Sequence, residues 1–458
     1  MTILSEYFFE QARRWVFWAK LILICLAFPL FRPHLVNYPA YINLSFVGLY
    51  VLLLVRKFFM KEPIRIDAIS LFALYYLGSI FGHKTFTEVL DRYAMALIPL
   101  CYLAYYNLLR TGGKSKDTFY LALKIIVILG VTQSVMGFTQ VLYGWPRFAF
   151  TEEAYEQEDE EIKLEDETDA RNYFAYLFPS LFSETKLASG TFLHFNDLGT
   201  FLVMIAPIAF GLWLKLRKTG WLVAFIIIFW GIIFTFSRGA LISGATAVMI
   251  VYMVFTRHKI LKLYGMVVAV ILLKLALDSF ITEYVENTGN VDGRYDTWIW
   301  AIEQGMETPI KLIMGYGIGY YDENVFVEPG SVFFSLDNRR LFSNFHSMYV
   351  AVFLELGIVG SLLYVFAILS VVWRAFKHRS LWTYTLVGMM WGFSFSQAFD
   401  HSFFGGNGIL FFTYIGLFLG YMDHHPREDD EADDKWKKDK DAILKPKSPE
   451  EVPLLSPS

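Results

Sequence analysis

Three side chains that could carry chemistry stand where polar residues meet the apolar segments of this chain: Arg238, Arg294 and His346. Arg238 stands in Ser237-Arg-Gly239 and interrupts an apolar run from Trp221 to Phe255. An unpaired guanidinium at the centre of a bilayer costs on the order of a few kcal/mol or more, so its place is at a rim. There it either snorkels to lipid headgroups or faces a cavity. In a cavity, a planar fork that is always charged suits a phosphate or pyrophosphate. Arg294 stands in Gly293-Arg-Tyr-Asp296, with Tyr295 beside it and Asp292 placed to cap a short helix beginning near Trp298. It either pairs with Asp292 or Asp296, or adds its charge to the positive end of that helix. His346 lies in Asn344-Phe-His-Ser-Met-Tyr349, where a polar stretch re-enters an apolar one. It is either a structural hydrogen-bonder or a group that accepts a proton near neutral pH. Asn344, Ser343 and Tyr349 are close enough in sequence to orient it.

Weaker candidates surround these. The run Gly190-Thr-Phe-Leu-His194-Phe-Asn196-Asp197 either lines the same cavity through His194 and Asn196 or caps a helix. Glu355 is nine residues beyond His346. On a helix that places it on the opposite face and about 13–14 Å along the axis, so it is expected to bond a neighbouring helix rather than the histidine. Gly315-Tyr-Gly-Ile-Gly319 lacks the strand-to-helix context of a phosphate loop. Asp400 and His401 read as ordinary loop residues. Cys25 and Cys101 lie in apolar segments and make no CxxC pair or zinc site. The acidic block from Glu152 to Asp169 is a solvated run without the glycine and terminal glutamate of an EF-hand. No metal or other cofactor is expected.

Membrane helices are the elements that must position these residues. The 458 residues are 55% hydrophobic and 18% aromatic, against about 45–50% apolar for a soluble domain. Apolar segments can be drawn at about 15–31, 41–55, 67–82, 93–109, 118–143, 192–214, 221–236, 239–255, 261–280, 346–373, 381–398 and 408–422. The first reads as a retained helix, since no small-x-small cleavage site follows it. Alternating strand patterns are absent, which argues against a β-barrel. The short basic clusters (Arg13 and Arg14; Arg56 to Arg65; Arg110 to Lys116; Lys215 to Lys218; Arg257 to Lys262; Arg374 to Arg379) all fall before the first segment or on even-numbered connections. The positive-inside rule then puts both termini in the cytoplasm and the long connections 144–191 and 278–345 outside it.

The expected fold is an all-α, multi-pass integral membrane protein of about 12 transmembrane helices, with a long extracytoplasmic loop containing short interfacial helices. Trp298 and Trp300 belong at headgroup level. The chain divides into N-terminal helices (1–143), an acidic extracytoplasmic loop (144–191), a core (192–422) and a disordered cytoplasmic tail (423–458). Nothing suggests nucleic acid as a partner; membrane lipids are one.

Taken together in order, Gly190-Thr-Phe…His194-x-Asn196, Ser237-Arg-Gly239, Gly293-Arg294 with Trp298, Gly315-x-Gly-x-Gly319 and His346-Ser-x-Tyr349…Glu355-x-Gly357-x-x-Gly360 resemble the shared core of the O-antigen ligase/Wzy polymerase family. Phe195 stands where that family usually has proline, and Ser347 where it often has asparagine. The resemblance implies a bacterial inner-membrane glycosyltransferase of the GT-C type that works without a metal. Its donor would be a glycan on undecaprenyl pyrophosphate, its acceptor another glycan, a lipid A core or a protein. Arg238 and Arg294 would hold the pyrophosphate and His346 would act as base or orient the acceptor. Tyr295, Asn196, His194, Asn344 and Tyr349 would bind substrate on the extracytoplasmic side. Protein O-glycosylation by the same family and a transporter or flippase of lipid-linked glycans are the alternatives. A transporter usually carries matching Gly/Pro-broken helices in two halves, and no such pair is visible.

Overall fold

The computed structural model describes residues 67–79, 98–110, 115–143, 188, 190, 192, 195–255, 298–318, 347–378, 380–398 and 406–424. Among the described residues helix dominates and no strand occurs. The helices are α1 (Ala68–Gly78), α2 (Leu100–Arg110), α3 (Ser115–Tyr143), α4 (Phe195–Leu216), α5 (Thr219–Phe234), α6 (Arg238–Phe255), α7 (298–305), α8 (Pro309–Met314), α9 (Met348–His378), α10 (Leu381–Ser396) and α11 (Gly406–His424). Nine of the apolar segments reappear as α1–α6 and α9–α11, their ends moved by a few residues. Segments 15–31, 41–55 and 261–280 lie outside the described residues, as do the acidic block and the tail. By length and composition α3, α4 and α9 are each able to cross a membrane.

Burial explains the arrangement. Every residue of α4 from Leu198 to Leu212 is buried, as expected of an all-round apolar helix at the centre of a bundle. Around it pack α3, α5, α6 and α10; α11 lies along α2, and α9 along α1. Small residues sit at the crossings: Gly211 against Thr385, Gly392 against Ala247, Gly416 against Tyr102. Without a hydrophobic force between helices in lipid, such close approach is what lets them associate. Leu362, Phe366, Leu369 and Trp373 of α9 and Leu71 and Leu74 of α1 are exposed instead. Apolar faces of this size suit lipid, not water.

The bundle has two distinct ends. At one, Arg374 of α9 donates to Asp67 Oδ2 (2.7 Å), to Asp423 Oδ2 (2.8 Å) and to the Tyr102 hydroxyl (3.0 Å). Tyr102 and Tyr106 donate to the same two carboxylates, and His378 Nε2 lies 3.2 Å from Asp423 Oδ1. The guanidinium also stands over the Tyr106 ring, 5.3 Å from its centroid. Asp67 is at the same time the N-cap of α1, accepting from the Ser70 amide. One cation thus ties α1, α2, α9 and α11 together. The opposite end carries Arg238.

Helix α9 is broken. Gly357 has φ 65° and ψ −169°, although the sequence reads as one apolar segment there. The break follows from what the helix is tied to. The Ala375 carbonyl accepts from Thr383, and the Met348 amide donates to the Gln397 carbonyl. A straight α9 would need about 40 Å between those ties, whereas α10 offers only about 21 Å. The arm 348–356 therefore turns at Gly357 and leans across the Arg238 end.

Candidate functional site

Arg238 is the first residue of α6, not part of the turn itself as Ser237-Arg-Gly239 suggests. The turn is Thr235 to Ser237, with Phe236 at φ 53°. Thr235 Oγ1 accepts from the Ser237 amide and Ser237 Oγ from the Ala240 amide, each at 3.3 Å. At the helix start, the half-buried Arg238 guanidinium adds to the positive end of the α6 dipole. Two sources of positive charge at one point favour an anion.

Four further elements meet at this end. The first turn of α4, carrying Asn196 and Asp197, lies against α6 where Gly199 abuts Ala240. Asn407 of α11 donates to the Asp197 carbonyl at 3.0 Å. Thr200 of α4 reaches Ser396 of α10 at 3.4 Å. The arm of α9 is held by Met348 as described and by Tyr349, whose hydroxyl donates to the Ser394 carbonyl at 2.8 Å. Tyr349 is 41% exposed, so its ring keeps an open face while its hydroxyl anchors the arm. Arg238, Asn196 and Tyr349 thus belong to one end of the bundle. His346, Arg294, Tyr295, His194 and Asn344 lie outside the described residues; the described chain resumes at Ser347, which is buried.

The segment upstream of α4 is fixed from α3. Gln140 donates through Nε2 to the Gly190 carbonyl (2.6 Å) and accepts the Gly190 amide through Oε1 (2.7 Å). One side-chain amide thus satisfies both backbone groups of Gly190, and the Ala188 amide donates to the Phe234 carbonyl. A glutamine in a long apolar helix gave no spacing signal, so sequence reading passed over it.

The glycine run Gly315-Tyr-Gly317 is not a phosphate cradle. Its amides are already used: Tyr316 donates to the Leu354 carbonyl (3.0 Å) and Gly317 to that of Glu355 (2.8 Å). These are carbonyls released by the break in α9, and the Tyr75 hydroxyl takes a third, that of Leu356, at 2.9 Å. Gly315 (φ 74°) and Gly357 meet backbone to backbone. A Cβ on Gly357 would stand 2.6 Å from the Gly315 nitrogen, and one on Gly315 would run into the Glu355 carbonyl. Glu355, 3% exposed, is thus at the junction.

The same junction seats α7 and α8. Ala301 is buried with Ala351 and Leu354, with Trp298, Trp300 and Tyr316 packed around them. Thr308 caps α8 through the Lys311 amide. Glu307 accepts from Lys311 and from the Tyr316 hydroxyl (2.8 Å), and the Lys311 ammonium lies 4.2 Å from the Tyr316 ring centroid. The Lys311 hydrogen bond holds the Glu307 carboxyl below its ordinary value, and the Glu307 bond pushes Lys311 up to about 12. On the other side Ile302, Met306, Ile310 and Ile313 are exposed. This amphipathic pair suits a lipid interface, as the flanking tryptophans suggest. Among the described residues no His, Cys, Asp and Glu cluster could hold a metal ion.

Residues 223–365 match the Wzy_C family model, which is that of the O-antigen ligase. Over that stretch, about a third of its length, the chain is similar to the O-antigen ligase. The match begins in α5, takes in Arg238 and the Gly315–Gly357 junction, and ends in the body of α9. Among curated proteins nothing matches the chain. The O-antigen ligase family implies glycan ligation or polymerisation at a membrane, with glycosyltransferase-like activity and lipid-linked glycan and acceptor as partners in general.

Proposed function

We propose that the protein transfers a glycan from an undecaprenyl-pyrophosphate carrier to an acceptor hydroxyl on the extracytoplasmic side of the bacterial inner membrane. The observation that carries this is the O-antigen ligase match over 223–365, which includes Arg238, Arg294 and His346. In the reaction the acceptor oxygen forms a bond to the anomeric carbon, and the bond from that carbon to the pyrophosphate breaks. His346 takes the hydroxyl proton. The pyrophosphate leaves on its lipid, with its growing charge held by Arg238, at the positive end of α6, and by Arg294. No metal is needed, because a lipid pyrophosphate is already a good leaving group. The acceptor is a polysaccharide or lipid A core in preference to a protein.

The break in α9 is the one observation that favours a transporter, since discontinuous helices line many transport sites. The freed carbonyls argue for the enzyme. Tyr316, Gly317 and Tyr75 occupy them, and the Arg374 network closes the other end. The test is transfer by purified protein in lipid nanodiscs, with undecaprenyl-pyrophosphate-linked glycan and candidate acceptors. His346→Ala, Arg238→Ala and Arg294→Ala are each expected to lower the rate about a hundredfold or more. Folded variants that all work at the wild-type rate would refute the assignment. Movement of the carrier between leaflets with no new glycosidic bond would establish the transporter.

A further inference from the structure

Asn407 opens α11 at the Arg238 end and is 2% exposed. Its nitrogen donates to the Asp197 carbonyl, which decides which way round the amide lies. The remaining half, Oδ1, is buried and has no hydrogen-bond partner among the described residues. Removing an amide oxygen from water without a new bond is unfavourable, and such orphans are uncommon in folded proteins. A leucine of similar size would avoid that cost, losing only the bond to the Asp197 carbonyl.

The position says what the oxygen is for. One turn further along α11, Phe411 stacks on Phe393 of α10, with 4.2 Å between centroids. This buried aromatic pair lies on the bundle side of Asn407. Buried Thr200, Ser396 and Gln397 stand at the same end, and the Gln397 carbonyl holds the start of the α9 arm. The orphan oxygen thus belongs, with Thr200, Ser396 and Gln397, to the buried polar groups of this end. It is an acceptor only. Of the reactants in the proposed transfer, the isoprenoid has no hydrogen-bond donor, and the pyrophosphate, bridged to lipid and sugar, is ionised. The sugars remain, with hydroxyls as their commonest donors.

We infer that Asn407 Oδ1 accepts a hydrogen bond from a hydroxyl of the reacting glycan and so helps set which sugar the enzyme takes. This rests on the proposed transfer activity. The hydroxyl belongs to the donor or to the acceptor sugar, and deoxy analogues made separately on each distinguish the two.

The experiment compares KM and kcat for intact and singly deoxygenated glycans in wild type and Asn407→Leu, with thermal melting in detergent as a fold control. In the wild type, loss of one particular hydroxyl should raise KM roughly tenfold. Asn407→Leu should show the raised KM with the intact sugar and be indifferent to that hydroxyl, with a melting temperature within a few degrees of wild type, since the relief of the buried oxygen offsets the lost bond to the Asp197 carbonyl. Should the leucine variant not fold, Asn407→Ser carries the same comparison. Unchanged discrimination between deoxy analogues in the variant, or a lower melting temperature with unchanged KM, would overturn the role of Asn407 while leaving the transferase reading intact. A wild-type protein that transfers no glycan to any acceptor would remove both.

Discussion

Gly357 holds a backbone conformation, φ 65° with ψ −169°, that is essentially closed to other residues and costs them on the order of 1–3 kcal/mol. A methyl group there also meets the Gly315 nitrogen at 2.6 Å. Gly357→Ala is therefore expected to lower the melting temperature by several degrees and glycan transfer by at least about tenfold, because the arm of α9 shifts with the junction. An alanine variant with wild-type melting and transfer would show that the junction does not position the arm. At this scale the sequence was legible where a residue contradicted its surroundings. Arg238 inside an apolar run was visible for that reason. Gln140, Gln397 and Asn407 were not, since an uncharged amide in an apolar helix has too many ordinary uses. Which amides are buried and which half of each is bonded are properties of the neighbours.

The α7–α8 pair is held by an exposed cluster whose charge states can be followed. Glu307 is depressed below its ordinary 4.5, so its contribution is present above that pH and is lost as pH falls through the lower folded value. Lys311 is raised, so its contribution is present below its ordinary 10.5 and is lost as pH rises through about 12. Both groups face solvent, which keeps the amplitude small and salt-sensitive. An environment-sensitive dye on Ile310→Cys should report loosening on the acid side of pH 4.5 in the parent and no acid transition after Glu307→Gln. An acid limb that survives Glu307→Gln would assign it to another group. Helices as elements were legible because their apolar lengths are set by the bilayer, as the matching of 192–214 to Phe195–Leu216 and 381–398 to Leu381–Ser396 illustrates. The break inside 346–373 was not. Glycine is common in membrane helices, and only the short span of α10 beside a long α9 forces one of them to yield.

Across the whole molecule, the Arg374 network joins residues 307 and 49 positions apart. Arg374→Ala leaves Asp67 and Asp423 facing each other without their shared cation, a loss of about 3–5 kcal/mol for a buried pair stripped of one partner. The melting temperature should fall by several degrees, and Asp423→Asn added to Arg374→Ala should restore part of the loss. A melt unchanged by Arg374→Ala would reduce the network to a surface-like contact. The alternation of basic clusters anticipated that Arg374 stands at a helix end, but its pairing across such distances depends on how α1, α2 and α11 pack, which no local pattern encodes. The docked glycine run has a different kind of consequence. Gly317 is bonded to Glu355 and Met348 to Gln397, so the chain departs after Ile318 and returns at Ser347 from points about 10 Å apart along one helical arm. The 319–346 stretch is in effect a cassette between two fixed terminals. Doubling its length adds only about 0.6 kcal/mol of closure entropy, and neither terminal moves. A chain that kept His346 could gain or lose residues ahead of it without disturbing the register of a single helix.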